Sequence, residues 1–260
     1  SYVETALLRA IWYPTTVATQ SWQIKGDILE ALCITDSDIS GVDFMLNDFG
    51  ARGGSSSESA QIGGFGHLIS FKGTDNIEAI NFCRKYYGAD MAGFSVIASE
   101  HSTITSWGRE NEVEAYRNML KIATPNSIVA CVSDSYDIYN ACANIWGDEL
   151  KDEVNALADI GARLVIRPDS GDPVKVPVEC VLILMDKFGY TTNELGYKVL
   201  PNHIRVIQGD GIDEASIRKI LFHAIDLEIS PENFVFGMGG AMLQKVDRDT
   251  LKFAMKANAI

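Results

Sequence analysis

At 260 residues, with 47% hydrophobic and 22% charged side chains, the chain can bury a full-sized core and has the composition of an ordinary soluble globular protein. A formal net charge of -13 opposes any broad electropositive surface, so neither nucleic acid nor an anionic membrane is an expected partner. The five cysteines (Cys33, Cys83, Cys131, Cys142 and Cys180) are odd in number and widely spaced, with no CxxC; they predict buried free thiols in a reducing cytoplasm rather than a disulfide framework or a thiolate zinc site.

In chain order, "SYVETALLRAIWYP" predicts an opening helix. No initiator methionine precedes it, and the closing "LKFAMKANAI" has neither cap nor polar tail, so a piece of a longer chain is expected. Seven short apolar stretches come next: "DFMLNDFGARG", "GHLISFKGTDN", "FSVIASEHST", "SIVACVSDSYD", "RLVIRPDSGD", "IRVIQGDG" and "NFVFGMGG". Between them lie helix-compatible segments such as "NEVEAYRNMLKIA", "SYDIYNACANIWGDELKDEVNALADI" and "DEASIRKILFHAID". This alternation predicts βαβ units around a parallel sheet, arranged as a single α/β domain over residues 1–260.

Each apolar stretch ends in charged, hydroxyl or glycine residues. In a β/α barrel or an open parallel sheet the strand carboxyl ends all point one way, and the loops leaving them build the active site. Any one such ending is readily explained as a turn whose Asp, Ser or Gly caps the next helix. Seven of them, several with arginines, point to a shared binding mouth that Arg167 and Asp169 would rim.

Gly237, Gly239 and Gly240 in "FVFGMGG" would let backbone N–H groups approach a phosphate, or would simply make a tight turn. Asp210, between two glycines, would hold sugar hydroxyls or close a turn. Arg52, Arg167 and Arg248 lie at or just beyond strand ends, where a planar guanidinium suits an anionic ligand; ion pairing at the surface is the alternative, evenly weighted for Arg248. Asp134, Asp169 and Asp210 are candidates for a hard cation such as Mg²⁺, while the four histidines show no zinc spacing. His101, beside Glu100 and hydroxyls, would carry, donate to or contact phosphate, or be a loop histidine satisfied by Glu100. His67 lies in an apolar run and reads as core.

The motifs "GARGGSSSESAQIGGFGHL", "FKGTDN", "EHSTITSWG", "VSDSYDIYNAC", "VIRPDSGDP", "RVIQGDGID" and "GMGGAMLQKVDRD" resemble, in this order, the nicotinamide phosphoribosyltransferases of the type II phosphoribosyltransferase group. The resemblance covers essentially the whole chain. It implies an irregular β/α barrel of about seven strands, consistent with the strand-end count. The implied activity is phosphoribosyl transfer from 5-phosphoribosyl-1-pyrophosphate to nicotinamide in NAD salvage, with Mg²⁺, with ATP as an activating co-substrate, and in a homodimer.

Carried over by motif, Phe49 would stack on the pyridine ring, while Asp75, Ser95 and Val96 would surround the carboxamide. Arg167 would sit near ring and phosphates. Asp169, Gly209 and Asp210 would hold the ribose hydroxyls, with Asp169 also toward the metal. Gly239 and Gly240 would take the 5'-phosphate, and Arg52, Arg248 and Lys256 would contact substrate phosphates or ATP. His101 would be phosphorylated by ATP, oriented by Asp134. Two positions depart from the family pattern: Asn47 stands where better-known members carry histidine, and Ala51 replaces a larger residue. The resemblance also implies flanking segments, an aromatic lid before the core and a basic stretch after it, that lie outside these 260 residues. Two other readings remain: nicotinate phosphoribosyltransferase, and a non-catalytic binding protein on the same fold.

Overall fold

The computed structural model describes residues 2–256 and 258. Its helices are α1 (Tyr2–Ile34), α2 (Ser57–Leu68), α3 (Ile77–Tyr87), α4 (His101–Thr105), α5 (Glu112–Lys121), α6 (Ile138–Asn140), α7 (Lys151–Ala156), α8 (Lys175–Phe188), α9 (Glu214–Asp226) and α10 (Gly240–Leu243). Its strands are β1 (Leu46–Asp48), β2 (Gly73–Thr74), β3 (Ile97–Ala98), β4 (Ile128–Val132), β5 (Arg163–Arg167), β6 (Thr191–Thr192), β7 (Lys198–Val199), β8 (Ile204–Gln208) and β9 (Phe234–Met238). The chain forms two compact units. One comprises Ser1–Asp27, Val42–Ser95 and Gly237–Ile260; the other comprises Ile28–Gly41 and Val96–Phe236.

The second unit holds the parallel run β3, β4, β5, β8 and the first part of β9. "IVACV", "RLVIR" and "IRVIQ" are rich in β-branched side chains and almost fully buried, as strands covered on both faces require. The core contains Tyr116, Trp146, Leu164 and Phe234. Tyr116 and Trp146 stack with centroids 4.6 Å apart, and their polar ends reach Glu112 Oε1 (2.8 Å) and Ser133 Oγ (3.1 Å) respectively. Helix α9 starts on a capping box between Asp213 and Ser216. The long helical pattern after "SYD" is realised in pieces: α6, a wide-wound segment Ala141–Glu149, then α7.

The first unit pairs β1 with β2 in parallel and contains the last two residues of β9, the strand shared with the second unit. The strand order is β2-β1-β9 in the first unit and β9-β8-β5-β4-β3 in the second. The α/β class and the seven expected strands are therefore present.

Two expectations need correction. The apolar run "GHLIS" is not strand: Ser56 and Ser59 form a capping box that starts α2, and that helix runs through Leu68, leaving only Gly73–Thr74 extended. Of the five cysteines, all free, Cys33 is exposed rather than buried, because it lies on the outer side of the last turn of α1. Among the described residues, no helix is long and apolar enough to cross a membrane.

His67 is fully buried, as the sequence suggests, with Nε2 3.0 Å from Gly73 O and Nδ1 3.2 Å from Ser21 Oγ. The carbonyl can only accept, so Nε2 carries the proton and Nδ1 accepts from the hydroxyl. Complete burial pushes its pKa down to about 4. The unfolded chain therefore binds a proton that the folded chain refuses, and stability present above the ordinary histidine value is lost as pH falls toward about 4, by about 3 kcal/mol in all. Denaturant titrations should show this loss across that window, and His67→Gln should flatten it.

Candidate active site

In the second unit, β4 and β5 pair with Val132 opposite Arg167, and Ser133 N donates to Arg167 O at 2.9 Å. This register puts the residues just beyond each strand side by side. Asp134, with a side chain only 4% exposed, is the hub. Its Oδ1 accepts from His101 Nε2 at 2.9 Å; its Oδ2 accepts from Asp169 N at 3.1 Å and Ser170 Oγ at 2.5 Å. A carboxylate oxygen accepts, so Nε2 of His101 donates to Asp134, and Nδ1 lies 3.9 Å from Asp169 Oδ2. Glu100 is engaged elsewhere: its carboxylate lies 3.7 Å from Arg167 Nη2, and its backbone N–H donates to Thr103 Oγ1 at 3.0 Å.

Arg167 is the central cation. Its side chain is 11% exposed, and Nη2 donates to Ser99 O at 3.1 Å with Glu100 Oε2 at 3.7 Å. Its Nε is buried and has no protein partner, and Ser135 Oγ and Gln208 Oε1, just beyond β4 and at the end of β8, are likewise unpaired. A buried donor without a partner is costly unless a ligand or water completes it. Burial holds the Asp169 carboxyl above its ordinary value; the carboxylates of Asp134 and Asp210 act in the same direction, against Arg167 and His101. The "RPDSGDP" turn therefore divides its acids. Asp172 Oδ1 accepts from Val174 N and Lys175 N and starts α8, which is the capping role, whereas Asp169 stays free of such duty. Asp210 is exposed after Gly209, with its carbonyl held by Gln208 Nε2 at 2.8 Å, and Val96 is exposed at the start of this unit.

In the first unit, Phe49 N donates to Met238 O at 3.0 Å, and the Phe49 ring lies so close over Gly237 that any Cβ there would collide with it. Gly237 is thus the floor beneath an aromatic ring. The sequence left Gly237 open between a phosphate approach and a tight turn; its packing against the ring is a requirement the sequence does not show. A Cβ at Gly239 would meet only ordinary contact and one at Gly240 nothing, so packing gives no reason for those two glycines. Asp75 Oδ1 accepts from Ser95 Oγ at 2.5 Å, and Asp75 N donates to Asp48 O at 3.0 Å. Arg52 is exposed in the turn Ala51–Gly53. Arg248, half exposed, bonds within its own turn to Asp249 Oδ1 and Phe253 O, both at 2.6 Å, and Lys256 is exposed.

The sequence reading missed Asp48. Fully buried, it accepts from Gly50 N at 2.8 Å and Asn76 Nδ2 at 3.0 Å, and so ties the Phe49 turn to the one carrying Asp75. Desolvation raises its pKa despite those bonds. Gly64 on α2 makes room for this link, since a side chain there would strike Asn76 and Ala79. The signal was present as an acid before the "FG" turn and an Asn after "GTD", but nothing in the sequence pairs them.

Residues 44–260 match the nicotinate phosphoribosyltransferase (NAPRTase) family. The chain belongs to that family. It is 55% identical to a nicotinamide phosphoribosyltransferase of Xanthomonas campestris pv. campestris (strain 8004), over 100% of this chain and 55% of the relative. It is 35% identical to one of Acinetobacter baylyi (99% and 54% covered) and 33% identical to one of Mycoplasma pneumoniae (100% and 57%). The chain spans about half the length of the curated relatives it matches.

Asp134→Ala removes an acceptor used by three donors. It should cost about 2–4 kcal/mol of stability and speed hydrogen exchange at the Asp169 amide well beyond that at strand amides such as Val165. Amide exchange followed by mass spectrometry or NMR measures both.

Proposed function

We propose that the full-length protein transfers a phosphoribosyl group from 5-phosphoribosyl-1-pyrophosphate to nicotinamide, giving nicotinamide mononucleotide and pyrophosphate. The observation that carries this reading is Arg167, a buried guanidinium with a free Nε beside Asp169 in a chain of net charge -13, an arrangement that calls for an anionic ligand. The relatives' names supply nicotinamide and the phosphoribosyl group.

In the reaction the C1–O bond to pyrophosphate breaks, a C1–N bond forms with the pyridine lone pair, and no proton need move at the nucleophile. The developing charge lies on the departing pyrophosphate and on an oxocarbenium-like ribose, so fixed cations and ring positioning matter more than a strong base. Arg167 would take the pyrophosphate charge. Asp169, Gly209 and Asp210 would hold the ribose hydroxyls, Gly239 and Gly240 the 5'-phosphate, and Arg52, Arg248 and Lys256 the outer phosphates or ATP. Phe49 would stack on the pyridine, with Asp75, Ser95 and Val96 around the carboxamide.

Among the described residues no three His, Cys, Asp or Glu side chains gather into a metal cluster. Mg²⁺ needs no such cluster, since it binds through one or two carboxylates plus substrate phosphate oxygens. Asp169 would hold it, with Asp210 nearby, while Asp134 is committed to its three donors. When bound, the ion would offset charge on the leaving pyrophosphate.

For ATP, His101 Nδ1 would attack the γ-phosphorus and release ADP, with Asp134 retaining the Nε2 proton and steadying the imidazolium that forms. His101→Ala should then lose ATP stimulation and ATPase activity yet keep basal transfer. Unchanged stimulation would rule the role out. A homodimer in the cytoplasm completes the proposal; exposed Tyr86, Tyr87 and Met91 on the first unit are apolar surface such a dimer would cover.

The test of substrate is a parallel product assay with nicotinamide and nicotinate. An ionised Asp75 accepts from an amide NH₂ but repels a carboxylate, a difference worth a few kcal/mol in a partly dry site. Wild type should favour nicotinamide, and Asp75→Asn should shift the kcat/KM ratio toward nicotinate. A ratio that does not move removes Asp75 as the selector, and wild-type turnover of nicotinate alone would favour the acid-specific reading.

A further inference from the structure

We propose that Ser99 is a positioning residue for Arg167, an inference that rests on the phosphoribosyl-transfer reading only for its kinetic readout. Ser99 follows β3 and is 2% exposed. Its N donates to Ala130 O at 3.0 Å, continuing the parallel ladder that pairs Ile97 with Val129 and Ala98 with Ala130. In a regular parallel ladder the next bond runs from the amide of Val132 to the carbonyl of Ser99.

Here that amide donates instead to Ser99 Oγ, at 2.9 Å. The hydroxyl stands in for its own carbonyl. The carbonyl is released from the ladder and accepts from Arg167 Nη2 at 3.1 Å. The hydroxyl's proton points to Cys131 Sγ at 3.6 Å, so the N–H, C=O and O–H of Ser99 are all engaged. The Cys131 thiol, buried and with its pKa pushed up to about 12, stays protonated and adds no charge beside the guanidinium.

A buried backbone amide rarely goes unpaired. Without the hydroxyl, the acceptor that a regular ladder gives Val132 N is the carbonyl at position 99, and taking it removes a partner from Arg167. Ser99 thus sets where Arg167 sits without touching substrate.

The test uses the full-length protein carrying Ser99→Ala or Ser99→Thr. For Ser99→Ala, the KM for 5-phosphoribosyl-1-pyrophosphate should rise about tenfold while the KM for nicotinamide stays within about twofold, because only the anion partner has shifted. Ser99→Thr keeps the hydroxyl on a β-branched residue suited to a strand and should restore the first value. Both KM values rising together, neither rising, or a Thr variant as impaired as the Ala variant would overturn the proposal.

A crystal structure of Ser99→Ala gives the second readout. Val132 N bonded to the carbonyl at position 99, with Arg167 Nη2 moved off it, supports the proposal; an unmoved Arg167 overturns it. If the wild-type protein transfers no phosphoribosyl group, the functional reading falls, and this structure still decides the role of Ser99.

Discussion

A guanidinium buried at the end of a central strand is the constraint around which the second unit's strand ends are arranged. Arg167 leaves β5 with most of its side chain covered, and an uncompensated charge in that position would be costly. Its partners are placed by strand register: the Ser99 carbonyl from beyond β3, and Asp169 two residues on along its own chain. Carboxylates that would repel one another in an acidic protein are tolerable together because this cation lies among them. Its buried Nε donor has no protein acceptor, so this donor is satisfied only by an anion or water.

From that constraint comes a division of labour among acids close in sequence. Asp172 caps a helix, and Asp134 is consumed by His101, Asp169 N and Ser170. Asp169 is left with its carboxyl half-buried and harder to ionise. The first unit repeats the pattern with a different buried acid. Asp48 fixes two turns, which present Phe49, half-buried, and Asp75, exposed.

Much of this was legible in the sequence because parallel strands buried on both faces read as short apolar runs, each leading into a loop. "IVACV", "RLVIR" and "IRVIQ" could hardly be anything else. "GHLIS" misled because an apolar run of that length is ambiguous, and the serine capping box that makes it helical lies about ten residues upstream. Glycines were harder still. Gly237, Gly239 and Gly240 look alike in sequence, yet only the first is demanded by a ring packed against its backbone, and that ring comes from nearly two hundred residues earlier. Asp48 with Asn76, and Ser99 with Val132, are likewise pairings between distant segments that no local pattern encodes.

The central claim, that the charge of Arg167 holds the Asp169 carboxyl below the value burial alone would give it, is tested by carbon-13 NMR titration of labelled aspartates in wild type and in Arg167→Met, with the Asp169 signal assigned by Asp169→Asn. The account predicts that the Asp169 midpoint, already above the ordinary value, rises further when the guanidinium is removed, since Arg167 is the leading influence lowering it. A midpoint that stays put or falls would contradict it.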